Sequence, residues 1–251
     1  YEKIHFILNT GSCPQYENIK KIDDPRYLFM NIHGVGPQCA NKLVKNGIQT
    51  INELKKHKNI NELLNETQLI GLKYYEDLLE KIPRNEMIKH EMILKKILNK
   101  IDPNSELTIS GSYRRGKDFS GDIDVLIKSE LRETYSNFIK TLISSEYIVE
   151  HLAYGRKKYN GICKLGKRGI CRRIDIMNTN VNEYPFSILY FTGSDEFNKI
   201  FRMKCLEKGY TINEYGIKKN NTKEIINHEF KNEKDIFDFL NIQYVEPSQR
   251  L

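Results

Sequence analysis

Two acidic side chains open a short apolar run in the middle of the chain. Asp122 and Asp124 stand at positions i and i+2, and they alternate with Ile123 and Val125. Side chains on a strand repeat every second residue, so the two carboxylates are expected to project from one face. Because adjacent anions repel each other, this spacing favours a cation between them. Mg²⁺ is the expected ion, since it takes a few carboxylates and completes its shell with water and phosphate oxygens.

The turn that precedes these acids is suited to binding a phosphate. It reads Gly-Ser-Tyr-Arg-Arg-Gly over residues 111–116, and Ser120 and Gly121 follow. Glycine lets backbone amides approach an anion, while serine and arginine add hydrogen-bond donors. An Asp-x-Asp pair by itself more often marks a solvated strand end or turn. The complete pattern instead indicates a site of nucleotide transfer.

A third acid occurs much further along the chain. Asp175 alternates with Ile174 and Ile176 after a pair of arginines, which is a short strand pattern. Enough residues separate it from Asp124 for the chain to return on a neighbouring strand of the same sheet. As an isolated feature, Asp175 is equally well explained as a surface aspartate.

These motifs resemble those of the family X DNA polymerases of the nucleotidyltransferase superfamily, the beta-type members above all. The resemblance implies that Asp122, Asp124 and Asp175 are catalytic and bind two Mg²⁺ ions, with Mn²⁺ as a substitute. It implies that Arg173 holds the carboxylate of Asp175 in place without binding the metal itself. It also implies a cradle for the β,γ-phosphates of a nucleotide, made of Ser112, Arg115, Ser120 and Gly121.

The segment Tyr-Phe-Thr-Gly-Ser-Asp at 190–195 has two interpretations. It could be packing at a helix entry, with Ser194 or Asp195 as the cap. It also resembles the nucleotide-selection region of family X, which implies a cis Gly193–Ser194 peptide bond. The implied nucleotide contacts are Tyr190, Phe191, Gly193, Asp195 and Asn198. The resemblance implies that Lys199 and Arg202 contact the template strand. It also implies that Glu214 pairs with Arg202 in one of the open and closed states of the polymerase.

Residues 32–44 predict a tight hairpin that leads into a helix. Gly34 and Gly36 flank Val35, and Pro37 is well placed for the first helical turn. Free amides at such a helix start favour an anion, although a plain helix–turn–helix packing unit would show the same pattern. The segment resembles the helix–hairpin–helix of family X, which implies that Gly34 and Gly36 bind the DNA backbone. The resemblance also implies a Na⁺ or K⁺ ion held by the carbonyl groups of Met30, Ile32 and Val35.

Composition agrees with a nucleic-acid partner without requiring one. The 251 residues include 40 Lys+Arg and 33 Asp+Glu, a net charge of +7 that attracts a polyanion modestly. No apolar stretch approaches the roughly 20 residues that span a bilayer, so no membrane association is expected. The 5 cysteines are odd in number and scattered, which favours free thiols in a reducing compartment. We therefore expect an intracellular, non-secreted protein of the nucleus or, for a viral protein, of the virion or viral factory.

The pattern of elements indicates an α+β fold, and the resemblance implies three subdomains after a short remnant, at 1–16, of an N-terminal lyase-type helical domain. A helical DNA-binding subdomain with the helix–hairpin–helix is expected at 17–83, a nucleotidyltransferase palm with a mixed β-sheet at 84–181, and a small α/β nucleotide-selection subdomain at 182–251. Lysines 3, 20 and 21 are too few for a lyase pocket, so lyase activity is expected to be absent from this chain. Strands are predicted at 107–110, 123–127, 147–152, 159–165 and 172–177. A helix at 85–100 should pack an apolar stripe on the sheet: Met87, Ile88, Met92, Ile93, Leu94 and Ile97.

The resemblance implies a monomeric, template-directed DNA polymerase that fills short gaps in DNA repair. Its substrates would be gapped or primer–template DNA and a dNTP, with release of pyrophosphate. Three alternatives stay open at this point: a template-independent terminal transferase, an RNA-directed nucleotidyltransferase, and a non-catalytic DNA-binding scaffold. The three acids argue against the scaffold, and the hairpin argues against the RNA-directed enzyme.

Overall fold

The structure is a computed structural model that describes residues 24–250. The predicted lyase-type remnant at 1–16, and the three lysines judged for lyase activity, lie outside the described residues. The described residues divide into two compact units, the first ending at Tyr75 and the second beginning at Glu76, and each is described by itself. Among residues 24–250, no helix combines the length and apolar character that crossing a membrane requires.

The described part of the first unit is helical. Its helices are α1 (Pro25–Met30), α2 (Pro37–Lys45), α3 (Ile51–Lys55), α4 (Ile60–Leu63) and α5 (Glu66–Lys73). The helices pack around fully buried Phe29, Ala40, Leu43 and Leu54. Helix α2 begins at Pro37, as predicted. Proline is favoured there because an N–H group in the first turn has no partner within the helix, so its absence costs no hydrogen bond.

The second unit contains a five-stranded mixed sheet. Its first elements are α6 (Tyr75–Leu79), β1 (Ile82–Pro83), α7 (Arg84–Ile101), β2 (Glu106–Ile109), α8 (Gly111–Arg114), β3 (Phe119–Ser120), β4 (Ile123–Lys128), α9 (Arg132–Ser144), β5 (Ile148–Tyr154), β6 (Lys158–Cys163) and β7 (Arg172–Thr179). The strand order is β2-β4-β7-β6-β5, in which β4 and β7 are parallel and the other neighbours antiparallel. The predicted mixed sheet is confirmed, with strand ends that shift by one or two residues.

The main core lies between one face of this sheet and helices α7 and α9. The alternating residues Val125 and Ile127 of β4 and Ile176 of β7 are buried there. The predicted stripe on the long helix is wrong in part, because Ile88 and Met92 are exposed by 44% and 66%. The buried row of α7 is instead Met87, His90, Leu94 and Leu98.

The remaining elements form a small lobe on the other face of the sheet. They are α10 (Tyr184–Thr192), α11 (Asp195–Glu207), β8 (Tyr210–Asn213), β9 (Gly216–Lys219), α12 (Glu233–Phe239) and a 3₁₀ turn at Pro247–Gln249. Ile188 of α10 packs on Leu126 of β4 and Met177 of β7, which lie on the face opposite the main core. Asp124 and Asp175 stand two residues before Leu126 and Met177, so they lie on the same face as the small lobe.

Candidate active site

The three predicted acids meet on this second face. Asp124 and Asp175 are paired directly across the parallel strands β4 and β7, and Asp122 stands just before β4. One carboxylate oxygen from each lies within 4.8 Å of the others, and all three side chains are half-buried. Paired residues on adjacent strands share a face, so strand register alone brings together acids that are far apart in sequence.

The local electrostatics show a site with excess negative charge. Burial and the neighbouring Asp175 carboxylate raise the pKa of Asp124 to about 7, while Arg115 acts in the opposite direction. Arg173 forms an ion pair with Asp122, and its Nη1 atom lies 3.6 Å from Oδ2 of Asp175. Arg173 thus lies closer to Asp122 than to Asp175, the residue it was expected to steady, and it partly balances both carboxylates.

The residues fit a divalent cation with a bound phosphate. Carboxylate oxygens at this spacing are the hard ligands that such a cation takes, and a cation would relieve the repulsion that raises the pKa of Asp124. Two buried polar atoms beside the site, Nε of Arg115 and Oγ of Ser120, have no hydrogen-bond partner among residues 24–250. Buried donors are normally paired, so these two groups are suited to an anionic ligand. Both belong to the predicted cradle, as do Ser112 on α8 and Gly121 directly after β3.

Gly111 shapes the contact between this turn and the acids. Its backbone has φ of +55°, a left-handed conformation that glycine adopts readily. A Cβ atom at this position would overlap Oδ2 of Asp124. The backbone N–H of Ser110 also donates to the carbonyl of Asp124 at 2.7 Å. The glycine therefore lets the turn lie directly against a catalytic candidate.

Two arginines of the turn tie it to the small lobe. Arg115 donates to the carbonyl of Thr192. Arg114 donates to Oγ1 of Thr192 at 2.6 Å and to Oε1 of Glu233 at 2.7 Å. Glu233 also accepts from Nη1 of Arg250 at 3.0 Å, and both of these side chains are buried. We call Arg114, Glu233 and Arg250 the Glu233 cluster; sequence reasoning missed it because its members lie far apart in the chain.

The predicted nucleotide-selection residues lie at the junction of α10 and α11. The Gly193–Ser194 peptide bond is cis, as the resemblance implied, and Ser194 caps α11. Asn198 donates to the carbonyl of Tyr190 at 2.8 Å, and the Arg202 guanidinium lies 5.2 Å from the centroid of the Tyr190 ring. Phe191 and Asp195, two further members of the predicted set, lie close to these residues. Phe191 contacts the Tyr190 ring edge to face, and Asp195 pairs with Lys199 on the exposed start of α11.

Glu214 has a partner that was not predicted. Its Oε1 accepts from Nζ of Lys158 at 2.8 Å, and Lys157 pairs in the same way with Glu183. Arg202 lies over Tyr190 in this arrangement, so its pairing with Glu214 in another closure state stays a prediction.

In the first unit, the predicted hairpin has an exposed tip. Gly34 has φ of +82°, whereas Gly36 is extended, with φ of −98° and ψ of 179°. Gln68 donates its side-chain amide to the carbonyl of Gly34 at 2.8 Å and so braces the turn from α5. The carbonyl groups predicted to hold a monovalent cation belong to Met30, the last residue of α1, and to Ile32 and Val35 in the turn that follows.

One polar residue beside the acids was missed altogether. Asn160 of β6 is paired with Asp175 of β7, and its side-chain amide donates to Oδ1 of Asp175. The available sequence signal was an amide inside a pattern that otherwise predicts a strand, a type of residue that strands disfavour.

Comparisons with known proteins follow the same order of segments. Residues 27–79 match the fingers domain of DNA polymerase lambda, residues 81–180 the DNA polymerase beta palm, and residues 187–251 the DNA polymerase beta thumb. DNA polymerase lambda of Arabidopsis thaliana is 28% identical over 99% of this chain and 51% of its own length. DNA polymerase lambda of Rattus norvegicus is 29% identical over 99% of this chain and 46% of its own length.

A third relative is named for a different activity. DNA nucleotidylexotransferase of Xenopus laevis is 28% identical over 98% of this chain and 56% of its own length. The chain thus spans about half the length of the curated relatives it matches.

Proposed function

Because the chain belongs to family X of the DNA polymerases, we propose that it is a template-directed DNA polymerase that fills short gaps in DNA repair. The observation that carries this proposal is the direct pairing of Asp124 with Asp175, with Asp122 alongside. Three carboxylates within 4.8 Å of one another are suited to the two-cation chemistry of nucleotide transfer.

The proposed roles of the acids follow from their positions. Asp122 and Asp124 would hold both cations, and Asp175 the one that serves the primer 3′-hydroxyl. Mg²⁺, for which Mn²⁺ could substitute, would lower the pKa of that hydroxyl and neutralise the triphosphate as pyrophosphate leaves. Arg173, which pairs with Asp122, would help to keep the carboxylates oriented.

The proposed substrate contacts use the groups around the acids. The unpaired Nε of Arg115 and Oγ of Ser120 would donate to the β,γ-phosphates, together with Ser112 and the amide of Gly121. The segment from Tyr190 to Gly193 would line the sugar, while Asp195 and Asn198 would lie along the base. Lys199 and Arg202, both exposed on α11, would meet the template strand.

The first unit is proposed to hold the DNA backbone without reading its sequence. The exposed residues Gly34 and Gly36 precede helix α2, where backbone donors favour a phosphate. A Na⁺ or K⁺ ion at the carbonyls of this hairpin is part of the proposal. We assign the DNA-binding subdomain to 17–83, the palm to 84–181 and the nucleotide-selection subdomain to 182–251.

We further propose that the protein acts as a monomer on gapped or primer–template DNA in a reducing compartment. Among residues 24–250 no cysteine forms a disulfide, which supports such a compartment. The nucleus, or the viral factory for a viral protein, would provide both this environment and the substrate.

Primer extension tests the proposed function directly. The full chain would be given a labelled primer in three substrates: a short-gapped duplex, an open template–primer and a single strand. We expect template-matched addition that is fastest on the gapped duplex. Absence of addition on both templated substrates would overturn the proposal.

Terminal transfer is the second candidate. The likeness to the DNA nucleotidylexotransferase of Xenopus laevis favours it, since the same acids would serve both reactions. In the same assay, addition to the lone single strand that ignores the template would select this function over gap filling.

A further inference from the structure

Asn160 extends the row of catalytic candidates by one strand. Asp124 of β4 is paired with Asp175 of β7, and Asp175 is paired in turn with Asn160 of β6. Because directly paired residues share a face, the three side chains lie side by side across the sheet. The buried residues Tyr159 and Cys163 of β6 point to the other face, into the main core.

The hydrogen bond between Asn160 and Asp175 has a defined direction. Nδ2 of Asn160 donates to Oδ1 of Asp175, while Oδ2 of the same carboxylate lies 3.6 Å from Nη1 of Arg173. An ionised carboxylate can only accept hydrogen bonds, so the amide must present its nitrogen. Asp175 is therefore held by a neutral donor on one oxygen and approached by a cation on the other.

The fold itself gives no reason for an amide at this position. Strand β6 is an interior strand between β5 and β7, and asparagine is depleted in strands. Residue 160 is half-buried, so an apolar or β-branched side chain would suit the strand better. A strand-disfavoured amide bonded to a metal-ligand candidate indicates a role in the site.

The two neighbours of Asp175 differ in what happens when a divalent cation arrives. Arg173 carries a positive charge and pairs with Asp122, so it competes with the incoming cation for the same carboxylates. Asn160 is neutral and can keep its hydrogen bond while the second oxygen of Asp175 turns to the metal. We propose that Asn160 is a positioning residue that fixes the carboxylate of Asp175 in the metal-bound site.

This proposal rests on the proposed function for the reaction that the site catalyses. The role of Asn160 in holding the metal ligand is tested separately, by metal binding. Mn²⁺ binding to the full chain would be measured without DNA or nucleotide, by electron paramagnetic resonance of the free ion. Asn160→Leu, which keeps the size and removes the donor, should weaken Mn²⁺ binding by roughly 10- to 100-fold, the usual effect of losing a group that orients a ligand. The apparent KM for dNTP should stay within about twofold of the unsubstituted chain while kcat falls.

Two further variants keep the test decisive. Asn160→Val favours a strand and lacks the amide, so it serves if the leucine variant fails to fold. Asn178→Leu is the matched control, because Asn178 is also half-buried on β7 but lies three residues from Asp175 and therefore on the opposite face of the sheet. The melting temperature in EDTA reports the fold of each variant.

The outcomes separate cleanly. Weaker Mn²⁺ binding in folded Asn160 variants, with the Asn178 variant unchanged, supports the proposal. Unchanged Mn²⁺ affinity in a folded variant without the amide overturns it. If the unsubstituted chain binds Mn²⁺ but extends no primer, the proposed function fails while the comparison of affinities still decides the role of Asn160.

Discussion

The row of acids on the sheet of the second unit and the hairpin of the first unit are built in different ways. Asp124 and Asp175 are distant in sequence and become neighbours only through the parallel pairing of β4 and β7. The hairpin is made of consecutive residues, and its own backbone closes it, with the N–H of Val35 donating to the carbonyl of Ile32 at 3.0 Å. One site depends on long-range strand register and the other on local backbone conformation.

This difference determines how each site should fail. A site made by register contains side chains whose chemistry can be removed while the sheet that aligns them persists. A site made by a local turn presents backbone groups, which only a change of conformation or access can remove. Substitutions in the palm should therefore mainly affect chemistry, whereas those in the hairpin should affect folding or DNA affinity.

The largest expected effect is the loss of a carboxylate from this row of acids. Asp175→Ala should lower single-turnover primer extension by roughly a thousandfold or more, since metal-assisted charge stabilisation is worth several kcal/mol. Duplex affinity, measured by fluorescence anisotropy, should stay nearly unchanged because Asp175 is proposed to bind a metal. Asp238→Ala on the exposed side of α12 is the matched control. Near-normal extension by the Asp175 variant would refute the metal assignment.

A smaller effect is expected where the turn touches the acids. Gly111→Ala should reduce extension by roughly a hundredfold, because the added Cβ displaces Asp124 and small misplacements of reacting groups cost about that much. Gly116→Ala provides the comparison: Gly116 also has positive φ, +79°, but a Cβ there meets nothing within 4 Å. Both variants share the backbone strain, so equal activities would show that the contact with Asp124 does not matter.

The core beneath the sheet should make stability depend on pH. Burial lowers the pKa of His90 to about 4, an effect that Glu86 opposes and Arg172 reinforces. Between pH 6.5 and 4 the unfolded chain takes up a proton that the folded chain does not, so stability falls as the pH falls. The loss attributable to His90 has an upper limit of about 3 kcal/mol.

Chemical denaturation at several pH values checks this dependence. The Tyr147 hydroxyl contacts Nδ1 of His90 at 2.6 Å, and His90→Gln keeps a polar group near it. In this variant the free energy of unfolding should change less steeply with pH between pH 6.5 and 4. A variant with the same slope as the unsubstituted chain would show that other groups control acid unfolding.

The smallest effect is expected at the hairpin, and it should split between two neighbouring glycines. Gly36 is extended and a Cβ there meets nothing within 4 Å, so Gly36→Val should fold normally. By obstructing the amides it should weaken duplex binding by roughly tenfold and reduce the salt slope by roughly 0.9 per lost phosphate contact. Gly34→Val should instead destabilise the helical unit, because Gly34 has positive φ and its Cβ would lie 3.3 Å from Thr67.

Anisotropy titrations at several salt concentrations and thermal melts separate these two effects. Duplex binding by Gly36→Val that keeps both its affinity and its salt slope would place the DNA contacts elsewhere.

Sequence reasoning located the groups that short motifs contain. Asp122 and Asp124 share one motif, Asp175 stands in a clear strand pattern, and Pro37 and Ser194 have strong positional preferences at helix starts. Each of these predictions depended on neighbours within a few residues, and the structure has the predicted elements at those positions.

The missed residues depend on partners that lie far away. Asn160 and Lys158 stand on one face of β6, and only the pairing of β6 with β7 and the packing of the small lobe give them their partners. The apolar stripe on α7 failed for a related reason. Ile88 and Met92 have the right type, but the buried row follows Met87 and Leu94, and residue type alone does not select the row.

The Glu233 cluster bears on how a mutational scan of this protein should be interpreted. One buried carboxylate serves two arginines, so replacing Glu233 leaves Arg250, 1% exposed, as an uncompensated buried charge. It also removes one of the two partners in the small lobe, Glu233 and Thr192, that hold Arg114 and the turn to which it belongs. A scan scored on nucleotide addition would rank Glu233 with the three aspartates, although it belongs to a helix that touches none of the reacting groups proposed here.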